Sequence, residues 1–191
     1  MTVRAVLLAM IAMIAMIAMT AAMSVAGCGP DPGPAGTKAS ARAAPAARQG
    51  DTALAESLYT SGLDVQKGGD KAGAIKLFYR AIEADPNFAP CLNHLAWLRA
   101  TDLDPKLRNG GEAVRLAQAA CGSIDDNQSS TFAANCLDTL AAACAEAGRF
   151  VEAVNAARRA EDMAWDLGRR DAARDFEDRK RMFEQRIPYH E

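Results

Sequence analysis

Residues 55–88 read AESLYTSGLDVQKGGDKAGAIKLFYRAIEADPNF. Ala, Glu, Leu, Arg and Lys dominate the stretch, and its glycines and proline fall at breaks between apolar-periodic segments. That is the pattern of two helices joined by a turn. Leu58, Gly62, Gly69, Ala74, Phe78, Ala81 and Pro86 stand at positions 4, 8, 15, 20, 24, 27 and 32 of this 34-residue window. A fixed pattern of this kind invites a search for the same pattern further along, since self-similarity at one period marks repeat architectures.

The pattern recurs twice. In residues 89–124, Leu92, Leu95 and Ala96 fill the first helix, and Ala113, Ala117 and Ala120 fill the second. The second helix arrives five residues late because TDLDPKLRNG (101–110), with Pro105 and Gly110, lengthens the turn. In residues 134–167, Leu137, Leu140, Ala141, Gly148, Ala153 and Ala160 match, and Gly148 suits a left-handed helix end.

These three windows resemble the tetratricopeptide repeat (TPR), a helix–turn–helix unit of 34 residues. The resemblance implies an all-α solenoid in which positions 8, 20 and 27 are small because the paired helices A and B cross closely there. Proline at position 32 ends helix B. The third unit departs from the family at Cys144, Ala157 and Trp165, where tyrosine, an aromatic and proline are usual. The resemblance further implies a protein or peptide partner on the concave face lined by A helices. Carried over by position, that face presents Glu56, Tyr59, Thr60 and Leu63, then Asn93, His94 and Trp97, then Asn135, Asp138, Thr139 and Ala142. Tyr59, Asn93, Trp97 and Asp138 are its main candidates: the amide for a ligand backbone, the aromatics as flat anchors. Tyr59, Leu63, Asn135 and Thr139 stand where a chaperone-tail clamp has its Lys, Asn and basic residues, so no such ligand is expected.

After the repeats comes RRDAARDFEDRKRMFEQRI (169–187). Ala172, Phe176, Phe183 and Ile187 share one helical face, and Asp175–Arg179 and Glu177–Arg181 are spaced as i,i+4 ion pairs. Residues 169–191 are therefore expected to form a C-terminal capping helix, which repeat arrays need at an open end. A dimerisation helix is the competing expectation.

The start of the chain is of another kind. Arg4 is the only charge in the first 27 residues, and an apolar run from Ala5 to Gly27 follows it. That run is long enough to cross a hydrocarbon core of about 30 Å, yet a positive start before an apolar stretch also marks an export signal. Val25-Ala26-Gly27-Cys28 resembles the bacterial lipobox, which implies cleavage between Gly27 and Cys28 and lipidation of Cys28. Two or three acyl chains would hold the protein firmly, since one chain binds only reversibly. Gly29 in place of aspartate favours the outer membrane, facing the periplasm. An uncleaved transmembrane helix and secretion with a free cysteine are the alternatives. Residues 29–50, with four prolines, four glycines and no large apolar side chain, are expected to be a disordered tether spanning about 25 Å.

Composition excludes several function classes. The chain has 191 residues and a formal net charge of −2, without the clustered basic excess of a nucleic-acid binder. Five cysteines and two histidines form no CxxC, HExxH or other metal-ligand spacing, so no metal, cofactor or catalytic residue is expected. Cys91 and His94 lie on one helix face, but Cys91 reads as packing. Asp125, Asn127 and Ser129 suggest a calcium loop that Ser130 and Cys136 then deny. Cys121 and Cys136 flank one loop and are the candidate disulfide pair in an oxidising compartment. Reduced thiols behaving as small hydrophobes are the alternative.

The sequence thus divides into a signal peptide (1–27), a lipidated cysteine and tether (28–50), a TPR domain (51–168) and a cap (169–191). It reads as a non-catalytic interaction scaffold, with a cysteine-based redox protein or enzyme as the competing class.

Overall fold

The computed structural model describes residues 50–124 and 129–191. All regular structure among them is helical: α1 (Thr52–Lys67), α2 (Lys71–Ala84), α3 (Ala89–Thr101), α4 (Gly110–Gly122), α5 (Ser130–Glu146), α6 (Phe150–Asp166) and α7 (Arg170–Glu184). The apolar run, Cys28 and most of the expected tether lie outside the described residues. No helix among the described residues is long and apolar enough to cross a membrane.

Local chemistry sets the helix ends. Asp51, Asp70, Asn109 and Ser129 each turn a side-chain oxygen onto a free N–H of the first turn, on Leu54, Gly73, Glu112 and Phe132. Such caps contribute about 1 kcal/mol each. Ser129, once a candidate calcium ligand, is one of them. At the other ends Gly69, Gly148 and Gly168 adopt φ of +93°, +74° and +69°. Behind Gly148 the Arg149 N–H closes onto Cys144 O at 2.8 Å, the bond that terminates α5.

Each helix packs on the next, and α3 also meets α5, as α5 meets α7. The contacts are close because the buried residues are small. Ala74, Ala81, Ala96, Ala113, Ala117, Ala120, Ala141, Ala153 and Ala160 are all fully buried. The larger core side chains are few: Phe78 among α1, α2 and α3, Leu95 on α3, and Phe176 and Phe183 under α7.

Gly62 shows what the close approach demands. A Cβ there would lie 2.5 Å from Cε1 of Phe78, a fully buried ring hemmed by Tyr59 and His94. Glycine inside a helix costs about 1 kcal/mol against alanine, and the ring leaves no alternative. Gly62→Val is expected to lower stability by about 1–3 kcal/mol through overpacking, read as a shifted urea midpoint at constant slope. A midpoint at or above wild type would refute the close crossing.

The lengthened turn between α3 and α4 is held by charge. Arg99 donates to Leu107 O at 2.6 Å and to Glu112 at 2.7 Å, and Glu112 also accepts from the Tyr79 hydroxyl. Burial and that bond push the Tyr79 phenol up to about 12. Lys71 of α2 reaches Asp102 at 2.6 Å, and Arg108 reaches Glu146 of α5 at 2.9 Å. Asn109 caps α4, so Gly110, expected in the turn, is the first helical residue instead.

Two expectations for the last helix need correction. It ends at Glu184, where Arg186 takes φ +60° and the Ile187 N–H bonds back to Met182 O. Ile187 therefore leaves the apolar face and is largely exposed. Glu177 and Arg181 pair as expected at 2.6 Å. Arg179 does not pair with Asp175. It turns inward to Asp138 of α5, because a buried carboxylate gains more from a partner than a solvated one does.

Candidate functional site

Helices α3, α5 and α7 enclose a groove of about 320 Å³. Helix α3 supplies Asn93, His94 and Trp97, and α5 supplies Asn135, Asp138 and Thr139. Helix α7 supplies Ala172, Asp175, Phe176 and Arg179. The helical period explains the first two sets: residues three and four apart share a face.

An ion pair forms its floor. Arg179 Nε donates to Asp138 Oδ1 at 3.0 Å and Nη2 to Oδ2 at 2.8 Å. This two-pronged match fixes both side chains. Burial pushes the Asp138 carboxyl above its ordinary range. Arg179 pulls it back without cancelling the shift, and Asp175 and Glu191 add to the rise. The Arg179 guanidinium also lies 5.6, 5.4 and 5.3 Å from the ring centres of Trp97, Phe176 and Tyr189. It is the hub of the groove, joining a charge to three aromatic faces.

Asn93 gives the groove an open valence. Its Oδ1 is buried and accepts no hydrogen bond, the only such side-chain atom found among the described residues. An unmet acceptor of this kind costs about 1–3 kcal/mol until a donor arrives.

Three of the four main candidates, Asn93, Trp97 and Asp138, meet in this groove. Tyr59 does not line it. Tyr59 packs against Phe78, Phe88 and His94 at centroid distances of 5.8, 5.7 and 5.9 Å, and burial raises its phenol. Its α1 position faces the first aromatic cluster, so it supports α3 from behind. His94 links the two regions, with Nε2 sharing a 2.8 Å hydrogen bond with Gln66 Oε1 and burial lowering its pKa.

Sequence reasoning missed Arg179, Tyr189 and Glu191. Glu191 accepts from the Trp97 indole N–H at 2.6 Å and from the Tyr189 hydroxyl at 2.9 Å, and its N–H donates to Thr101 O at 2.7 Å. Reading 169–191 as one helix concealed this return. The proline at 188, just beyond the last helical turn, was the available signal.

The cysteines divide into three settings. Cys91 is fully buried, donates to Phe78 O at 3.4 Å and is pushed up to about 12 by burial. With His94 bonded to Gln66 the two form no dyad. Burial also raises Cys144. Cys121 and Cys136 are free thiols and lie as neighbours. The interaction between the two thiols lowers Cys121, with Arg159 assisting, and together with burial raises Cys136. Among the described residues no group of three or more His, Cys, Asp or Glu is placed to hold a metal ion.

No protein-family model matches the chain, and no curated protein matches it.

Proposed function

We infer that the chain is a lipid-anchored TPR protein of the bacterial cell envelope. It acts as a non-catalytic scaffold that binds a protein or peptide in the α3–α5–α7 groove. The observation that carries this reading is the groove itself: Asn93 with an unmet buried acceptor, beside Trp97 and the Asp138–Arg179 pair. An extended peptide supplies backbone N–H groups to such an acceptor without being read for sequence. The small residues at positions 8, 20 and 27 of all three windows support the TPR assignment: Gly62, Ala74 and Ala81 in the first, Ala141, Ala153 and Ala160 in the third. In the second the lengthened turn shifts the set to Ala96, Ala113, with Ala120 closing it.

The lipobox-like Val25–Cys28 supports an anchor at Cys28, and Gly29 in place of aspartate supports the periplasmic side of the outer membrane. Mass spectrometry of the mature protein tests this half: an N-terminus at acylated Cys28 is expected, and one at Met1 would overturn it. Crosslinking from a photoreactive side chain at position 135, in the same groove lining, followed by pull-down from intact cells, tests the other half. A partner captured at 135 and lost when Asn93→Leu is added is expected. Equal capture from an exposed control at Val151 would refute the groove.

The lowered Cys121 thiol beside Cys136 favours one second reading, a redox role for that pair. In wild type N-ethylmaleimide is expected to label Cys121 first, since the thiolate is the reactive form. Peptide mapping reads the order. Labelling of Cys91 or Cys144 ahead of Cys121 would contradict these thiol environments.

A further inference from the structure

Residues 187–191 read IPYHE, and they do not run off into solvent. After the left-handed turn at Arg186 the segment crosses the ends of α3 and α5. Tyr189 lies on the Arg179 guanidinium and 6.0 Å from the Trp97 ring. His190 Nε2 meets Glu146 at 2.8 Å. Glu191 makes the contacts a bound peptide would make: a backbone N–H to Thr101 O and a carboxylate on the Trp97 indole N–H. Tyr189 thus meets both groove residues Arg179 and Trp97, and Glu191 meets Trp97.

We propose that this segment is a built-in cover on the Trp97–Arg179 end of the partner groove, and that the partner is a peptide with an aromatic residue two positions before an acidic one. The proposal rests on the groove reading and adds the chemistry of the ligand. Three features select that chemistry. The Arg179 cation, already bound to Asp138, presents its flat face to an aromatic ring. The Trp97 N–H is a donor only, so it takes an acceptor such as a carboxylate. The Thr101 carbonyl, at the end of α3, takes the N–H of the acidic residue. A partner that supplies these groups in trans displaces 188–191 and continues along α3 to Asn93, whose Oδ1 the built-in segment leaves unmet.

A segment on the same chain competes at an effective concentration of order millimolar. Wild type is therefore held closed to weak ligands, and an apparent affinity falls by the fraction of molecules that are open. Loosening the segment raises affinity for a ligand in trans without changing the groove.

The test uses the full chain in detergent micelles and a fluorescein-labelled peptide of residues 185–191, QRIPYHE. Tyr189→Ser/Glu191→Gln is expected to bind this peptide at least ten-fold more tightly than wild type by anisotropy, and a scrambled peptide is not. Glu191→Gln alone changes an exposed side chain, so folding is not at issue, and gives an intermediate gain. Trp97→Phe in the double variant removes the gain. Equal binding by wild type and variants, or equal binding of the scrambled peptide, overturns the proposal. Panning a phage-displayed random library on the double variant separates the two claims. Enriched peptides with the aromatic–any–acidic pattern support the proposal. Enriched peptides without it overturn the proposal and leave the groove reading standing. Enrichment of none overturns both.

Discussion

Arg179→Met lowers the stability of the fold at pH 7 by about 3–5 kcal/mol, the cost of leaving a buried charge without its partner. Asp138 is 5 % exposed, and Arg179 supplies both hydrogen bonds to its carboxylate oxygens. The loss depends on pH in a defined direction. Burial already raises the Asp138 pKa above its unfolded value, with Arg179 opposing the rise. In the window between the two values the folded state binds more protons than the unfolded one, so stability falls as pH increases. Removing Arg179 lifts the folded value further and widens that window upward. The deficit of the variant is therefore largest near neutrality and shrinks as pH falls toward about 4, where the unfolded carboxyl also protonates. Urea midpoints between pH 4 and 8 measure it. A deficit of the same size at both ends would show that lost packing, not the stranded carboxylate, is responsible. Asp138→Asn in the Arg179→Met background is expected to recover most of the loss at pH 7.

Phe183→Ala removes about 3–5 kcal/mol, the range for truncating a fully buried aromatic side chain. Phe183 has no exposed surface and sits in a cluster whose other buried members are thirteen small side chains on α3 to α6: eleven alanines, Val114 and Cys144. Alanine has no side-chain rotamer with which to fill a void, so the cavity left by the ring persists instead of closing. The unfolding temperature should fall by roughly 10–15 °C for a domain of this size. Val151→Ala, at a position 78 % exposed on α6, serves as the control and should stay within about 0.5 kcal/mol. A loss under about 1 kcal/mol at Phe183 would mean that α7 is not a cover on the core.

The regular part of the fold was legible because it rests on local rules. Helix content, the breaks at Gly69 and Gly148 and the small residues facing a neighbouring helix all follow from spacing along the chain. Asn93, Trp97 and Asp138 were reached by position within a repeat, and they do share a groove. Tyr59 was placed by the same rule and lies outside that groove, packed against Phe78, Phe88 and His94. Arg179 was assigned to Asp175, four residues away, when the stronger partner was 41 residues earlier. Spacing registers the near carboxylate and has no means of registering the burial of the far one. The return of Tyr189 and Glu191 escaped for a related reason: an amphipathic pattern marks where a helix gains from burial, while its stop is marked by Pro188 and by the left-handed turn at Arg186, whose neighbour Ile187 bonds back to Met182 O.

The part-buried ion pairs have a bearing on how the molecule comes apart. Stacked helical hairpins unfold piecemeal when each unit is stable alone and weakly joined to its neighbour. Here every seam between hairpins is crossed by charge. Lys71–Asp102 and Tyr79–Glu112–Arg99 bridge the first and second hairpins, and Arg108–Glu146 bridges the second and third. Arg179–Asp138 and Lys180–Glu161 tie the last helix to the third hairpin. Opening any one hairpin strands a charge on the next, so fraying from an end is penalised at each step. The described residues should melt in a single cooperative transition, and amide exchange should report one shared opening free energy across α2 to α6 where an unlinked array would show a gradient.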